Sequence, residues 1–325
     1  MNVLVLSYDD VVRLLTMEAC IEVMADALRT TSKGGAVLPL RSVVWMPDRT
    51  GMIGLMPGFL DAPTSLGLKV VSIFPGNHGT GYDSHQGVVM LFDTRHGSPR
   101  AIIDASSITA IRTAAVSGVA TRALAREGAG DLAILGSGVQ AVTHLAAMRA
   151  VRKIRRVRVW SRSQANAQRF ADKSPIPVEV MATARAAVDG ADLICTTTAA
   201  REPVLEGAWL APGAHINAVG ACFAATRELD TPAVARARLI VDRKESTLNE
   251  SGDYLFAKKD GAIGEDHILG ELGDLLLGRF AGRRSADDVT LFKSLGIAIE
   301  DLAAAHYVYT QAVARGGGVS VPLGA

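Results

Sequence analysis

Between Asp131 and Arg162 the spacing of apolar residues changes period twice. Leu132, Ala133, Ile134 and Leu135 form a short unbroken run, and glycine-rich chain follows it. Helical spacing then continues to about Ala150, and Val157 to Trp160 make a second short run. This pattern predicts strand, tight turn, helix, strand. Downstream the alternation continues. Helices are expected at Gln164–Asp172 and Ala182–Asp189, and strands at 178–181, 192–196, 215–219 and 239–241. Strands alternating with helices at that spacing imply a parallel sheet. Upstream the pattern differs. Val3–Leu6 reads as a strand, and the Val11 to Leu28 stretch as one amphipathic helix broken by Gly34-Gly35. Closely spaced strands follow at 42–45, 51–55, 66–73, 86–92 and 100–104, with turns at Pro57-Gly58, Pro75-Gly76 and Arg95-His96-Gly97. Strands this close, without intervening helices, imply an antiparallel sheet. A helix is expected from Ser107 to about Arg126. Beyond Asp242 the chain reads as helix-rich, through 246–254 and 269–277, and closes on a long helix through Asp301, His306 and Tyr309.

The turn inside the first pattern is Gly136-Ser137-Gly138-Val139-Gln140-Ala141, or G-x-G-x-x-A. Between a strand and a helix this is the dinucleotide fingerprint. Gly136 allows the tight turn, Gly138 lets backbone approach a pyrophosphate, and the small Ala141 lets helix and strand pack closely. The free N–H groups and positive dipole end of the helix then face the anion. An NAD site usually carries Asp or Glu at the end of the second strand. This chain has Ser161-Arg162 and no carboxylate from Val157 to Phe170. A carboxylate about 4 Å from a 2′-phosphate would cost on the order of 4 kcal/mol per charge pair at a surface-like dielectric. A guanidinium there attracts and grips it. The expected cofactor is therefore NADP(H), with NAD(H) the less favoured alternative. The competing reading makes Arg162 one more solvated arginine of a basic region containing Arg152, Lys153, Arg155, Arg156 and Arg158.

Composition narrows the class. A chain of 325 residues accommodates two domains. With 34 basic and 33 acidic residues it has no overall field for nucleic acid. Three cysteines, Cys20, Cys195 and Cys222, lack the spacing of a disulfide frame or zinc site, and no metal is expected. No apolar run reaches 18 residues, so a membrane span is not expected, and the expected setting is cytoplasmic.

Three cations occupy apolar surroundings: Arg41 after Leu38-Pro39-Leu40, Lys69 within Leu66–Val71, and Arg112 in an alanine-rich helix. Burying such charges is costly, so each is either paired internally or set to receive an anion. A substrate-carboxylate cluster and three ordinary ion-paired residues both fit.

These residues also carry a resemblance. The blocks Leu55-Met56-Pro57, Gly67-Leu68-Lys69, Ile108–Ala115, Gly136–Ala141 and Ile216–Gly220 resemble the ornithine cyclodeaminase/μ-crystallin family. So do Arg227-Glu228-Leu229-Asp230, Glu250-Ser251-Gly252-Asp253 and Phe292-Lys293-Ser294-Leu295-Gly296, so that the match spans essentially the whole chain. The resemblance implies an α/β protein with two domains. Residues 127–302 would be a Rossmann dinucleotide-binding domain. Residues 1–126 with 303–325 would form an α+β substrate and dimerisation domain with a mainly antiparallel sheet, assembling a homodimer that acts on a small imino or amino acid. It further implies that Arg41, Lys69 and Arg112 hold the substrate carboxylate, with Leu295 beside the substrate. Val139, Gln140, Ser161, Arg162, Thr196, Val219 and Ser294 would contact the cofactor, and Arg112 would reach it too.

Two positions depart from the cyclodeaminases of that family. Gly54 stands where they carry Glu, and Cys222 where they carry Asp. Without those carboxylates a second substrate amine has no partner. The pattern is more similar to the NADPH-dependent ketimine reductases, with Lys69 as the expected catalytic proton donor and water or Asp301 as alternatives. The expected reaction reduces Δ1-pyrroline-2-carboxylate or Δ1-piperideine-2-carboxylate. Cyclodeamination, an alanine or opine-type dehydrogenase activity, and low-turnover NADPH binding are the alternatives.

Overall fold

The structure is a computed structural model that describes residues 2–77 and 80–324. The chain divides into two compact units, Met1–Arg112 with Gly296–Ala325, and Thr113–Leu295. Both divisions lie N-terminal to the expected boundaries at 126/127 and 302/303. The first falls inside the Ala105–Leu124 helix, which begins where the Asp104 carboxylate accepts the Ser107 N–H at 2.7 Å.

In the first unit the sheet runs, in spatial order, Val319–Pro322, Asn2–Leu6, Pro99–Asp104, His85–Phe92, Ser65–Ile73, Met52–Leu60 and Ala36–Val37. Ser42–Trp45 also pairs with Met52–Leu60. Its pairs are antiparallel except Asn2–Leu6 with Pro99–Asp104. The Pro57-Gly58 turn expectation is corrected, because both residues lie inside the nine-residue strand Met52–Leu60. Ser42–Trp45 covers Met52–Leu55 and Ala36–Val37 covers Phe59–Leu60. Pro57 thus falls in the gap, where its missing N–H costs no ladder bond. The expected single amino-terminal helix is two, Tyr8–Leu14 and Met17–Ser32, because Thr16 accepts the Ala19 N–H and starts a new helix. Met17–Ser32 packs against the Ala298–Arg315 helix, which also lies on the two long central strands. Gly67 makes this approach close, since a side chain there would meet the Met90 carbonyl and Leu302.

The second unit is built on an all-parallel sheet. Its spatial order is Glu179–Val180, Arg156–Trp160, Asp131–Leu135, Leu193–Thr196, His215–Ala218, Thr290–Lys293, Arg238–Val241 and Ile268–Glu271. The direction of strand succession reverses between Asp131–Leu135 and Leu193–Thr196, the switch point at which such sheets take ligands outside their carboxyl ends. Two strands escaped the sequence reading. Ile268–Glu271 lay in a stretch expected to be helical, and Thr290–Lys293 read as the lead-in to a helix. The expected 246–254 helix is likewise two, Lys244–Glu250 and Gly252–Lys259.

Candidate active site

Lys69 and Arg112 are almost wholly buried, at 3% and 4% exposed, and their counter-ions are buried beside them. Lys69 Nζ lies 2.7 Å from Asp301 Oδ2. Arg112 donates from Nε to Asp301 Oδ1 at 2.8 Å and from Nη1 to Glu300 Oε2 at 2.6 Å. Lys69 Nζ also donates to Thr109 Oγ1 at 3.4 Å. Half-buried Arg41 donates to the Gly296 carbonyl at 3.2 Å. Gly296 has φ +75°, and a side chain there would sit 2.6 Å from Arg112 Nη1, so the guanidinium rests directly on this glycine. One residue therefore links Arg41 to Arg112, and Asp301 links Arg112 to Lys69. All of this lies within the first unit.

Sequence reasoning found the cations but passed over Glu300 and weighed Asp301 only as an acid. The signal was available: the two carboxylates lie in the first half of the helix, residues 298–305, which is otherwise alanine and aliphatic, and they demand partners as the cations do. Burial brings the Lys69 ammonium down to about 8; Asp301 pulls it up, while Arg112 and Arg41 push it lower. Burial acts to raise the Asp301 carboxyl, but Arg112 and Lys69 outweigh it and hold it below the usual carboxylate range.

In the second unit the Gly136–Ala141 turn has the form the cofactor reading requires. Gly136 has φ +118°, and a side chain there would strike Thr197. Gly138 caps the 13-residue helix Val139–Val151, and a Cβ on it would meet nothing within 4 Å, leaving open space before the helix N-terminus. Val139 is exposed, Gln140 half-buried, and Ala141 packed into the interior. These residues fit a dinucleotide pyrophosphate. Ser161 is half-buried and Arg162 exposed at the end of the second strand.

The basic stretch before Arg162 is not simply solvated. Arg152 donates to the carbonyls of Thr121, Ala125 and Arg126, and Arg158 to those of Ala186 and Asp189. Arg155 pairs with Asp192 and Arg156 with Glu179. Among the described residues Arg162 has no hydrogen-bond or ion-pair partner.

The remaining expected contacts are more enclosed. Thr196 is fully buried and donates from Oγ1 to Glu228 at 2.8 Å, so its hydroxyl proton is committed inside the unit. The Val219 N–H donates to the Thr196 carbonyl, and the Cys222 thiol donates to the Val219 carbonyl at 3.3 Å, closing that turn. The Ser294 hydroxyl is buried without a hydrogen-bond partner among the described residues. The Leu295 N–H is fixed by Asp242 Oδ2 at 2.6 Å.

The profile of the ornithine cyclodeaminase/mu-crystallin family matches residues 1–316. The chain belongs to this family. Within it, the chain is 43% identical over 286 residues to the ketimine reductase mu-crystallin of Mus musculus, covering 87% of this chain and 88% of that protein. It is 38% identical over 320 residues to the Δ(1)-pyrroline-2-carboxylate reductase of Bacillus cereus, covering 97% and 98%. Among solved structures, the Δ(1)-pyrroline-2-carboxylate reductase of Thermococcus litoralis, in complex with NADH and L-proline, superimposes with a TM-score of 0.95. It is 39% identical and covers 98% of this chain and 100% of its own. An archaeal alanine dehydrogenase dimer with bound NAD gives a TM-score of 0.93 at 30% identity, covering 100% of both chains. Of the two departures from the cyclodeaminases of the family, Gly54 is buried on the same sheet face as Lys69. A side chain there would make only ordinary contact with Val71, so nothing steric forbids one.

Proposed function

We propose that this chain reduces a small cyclic α-imino acid, Δ1-pyrroline-2-carboxylate or Δ1-piperideine-2-carboxylate, to proline or pipecolate, with NADPH as the preferred reductant. It is a nicotinamide-dependent oxidoreductase acting on a C=N bond, supported by its ketimine reductase and pyrroline-2-carboxylate reductase relatives. The observation that carries the substrate class is the joining of Arg41, Lys69 and Arg112 through Gly296 and Asp301.

Arg41 and Arg112 hold the substrate carboxylate, and the buried pairs to Glu300 and Asp301 keep Arg112 from swinging away. When bound, the dinucleotide supplies a hydride for the C=N carbon. Reduction also requires a proton on the ring nitrogen, and Lys69 is its donor. With its ammonium brought down to about 8, Lys69 is charged at neutral pH yet gives up a proton more readily than an ordinary lysine. Asp301 is a poor donor, since two cations hold it ionised. NADPH is favoured over NADH because Arg162 stands unpaired at the second strand's end while Arg152, Arg155, Arg156 and Arg158 are engaged within the protein. The Thermococcus litoralis enzyme, with NADH bound, makes that preference the point to test.

A homodimer is part of the same proposal. The outer face of the first unit's sheet presents Ile53 and Leu66 exposed, with Leu55, Phe59, Leu68 and Val70 only half-buried, an apolar surface suited to a second copy. Light scattering should give twice the chain mass; a monomer at micromolar concentration would remove this part.

The deciding assay follows NADPH and NADH oxidation with five- and six-membered cyclic imino acids, beside pyruvate plus ammonia, and ornithine with NAD. Turnover of a cyclic imine without added amine is expected. Ammonia release from ornithine, with no imine turnover, would overturn the reading, and turnover only when amine is added would favour an alanine or opine-type dehydrogenase.

A further inference from the structure

Three residues of the sequence blocks, Glu228, Asp253 and Lys293, have no part in the chemistry above, yet the second unit brings them into one buried network. Lys293 Nζ, 1% exposed at the end of strand Thr290–Lys293, donates to the Ala221 carbonyl at 2.7 Å and lies 2.9 Å from Asp253 Oδ2. Asp253 Oδ1 accepts the N–H groups of Glu228 and Leu229 at 2.8 and 3.0 Å. The Glu228 carboxylate, fully buried, accepts from Thr196 Oγ1, the Thr198 N–H and hydroxyl, and the Gly220 N–H, all within 2.8 Å. The network therefore clamps two loops at the carboxyl ends of adjacent parallel strands, Thr196–Thr198 and Val219–Cys222.

The arrangement is more than a buried charge pair. An ion pair of Lys293 and Asp253 alone would satisfy both charges, but here the ammonium spends a further donor on a carbonyl of a loop it does not belong to. Burial acts to lower the Lys293 ammonium, and Asp253, Cys222 and Glu228 outweigh it, so it stays charged and its donors stay available. We propose that Lys293 is a positioning residue that, backed by Asp253 and Glu228, holds the Val219–Cys222 turn in the shape that receives the nicotinamide end of the dinucleotide. This rests on the cofactor reading above, in which ligands lie outside the carboxyl ends of these strands.

The test uses Lys293→Met and the neutral pair Lys293→Met with Asp253→Asn. Each is read by thermal melting, by dinucleotide binding through NADPH fluorescence without imino acid, and by steady-state KM values. Lys293→Met leaves Asp253 buried without its cation and should melt well below the wild type. The double variant removes that charge, keeps an oxygen for the Glu228 and Leu229 N–H groups, and should recover most of the melting temperature. Its NADPH dissociation constant should nevertheless rise at least tenfold, while KM for the imino acid stays within about twofold. A folded double variant that binds NADPH as the wild type does would overturn the proposal. So would a double variant that melts as low as Lys293→Met, because Lys293 would then serve the scaffold and not the turn. A wild type that binds neither NADPH nor NADH overturns the cofactor reading itself, a separate and recognisable result.

Discussion

Both units bury charge, but in opposite ways. In the first unit buried Lys69 and Arg112 share the carboxylates of Glu300 and Asp301, and a third cation, Arg41, joins them half-exposed through the Gly296 carbonyl. In the second, one lysine meets two carboxylates, and the surplus negative charge is met by four backbone N–H groups, of Thr198, Gly220, Glu228 and Leu229. The second cluster is closed on itself, while the first reaches towards solvent through half-exposed Arg41. Buried charge alone does not mark a substrate site; a charged cluster within reach of solvent is the better candidate.

The largest effect that would sharpen this contrast is on turnover. Lys69→Met should lower kcat about 10²–10⁴-fold, the usual range for loss of a general acid. In the wild type the donor form exists below the Lys69 pKa of about 8, so kcat/KM should be level at neutral pH and fall as pH rises through about 8. A Lys69→Met enzyme with full kcat and only a raised KM would limit the residue to binding. Next in size is stability. Asp301→Leu strands Lys69 and leaves Arg112 with Glu300 alone, and should cost about 3–5 kcal/mol in a urea titration; a loss under about 1 kcal/mol would mean that the first cluster is not held together as described.

The cations could be read from the sequence because each interrupts an apolar run. Their counter-ions were missed for a physical reason: Glu300 is 188 residues from Arg112, and no local periodicity links the two. Distance in sequence hid Lys293 as well. Thr290–Lys293 has only four residues and ends in a charge, so it shows neither alternation nor a convincing apolar run. It is a strand because it pairs with His215–Ala218 on one side and Arg238–Val241 on the other, partners far away in the sequence. The Rossmann half up to Ala218 was legible because its strands are short, mostly apolar segments separated by helical spacing and turns. Pro57-Gly58 misled because punctuation residues also occupy a strand wherever its partners leave a gap.

Smaller effects probe charges nearer the surface. Arg162→Asp should shift the NADPH/NADH ratio of kcat/KM about 10–100-fold towards NADH, the scale of losing one to two kcal-scale charged hydrogen bonds; an unchanged ratio would remove Arg162 from the cofactor site. Arg41→Ala should raise KM for the imino acid about tenfold with little change in kcat, as expected when a binding contact shared by ground and transition states is lost. At the bottom of the scale, Arg156→Ala, which breaks an exposed pair with Glu179, should leave the melting temperature unchanged within error.

The first unit's composition from both chain ends has a consequence for how the protein is made. Lys69 and Arg112 leave the ribosome long before Glu300 and Asp301. At about 5–20 residues per second, the wait from Arg112 to Glu300 is roughly 10–40 s. Throughout that interval the nascent amino-terminal sheet must carry unneutralised charge in its interior and lacks the helix that covers it, while the parallel sheet can already assemble. Biosynthesis thus inverts the usual amino-to-carboxyl order: the segment translated first is the last to be finished, and synonymous codons that slow translation between residues 113 and 295 would prolong its most vulnerable state.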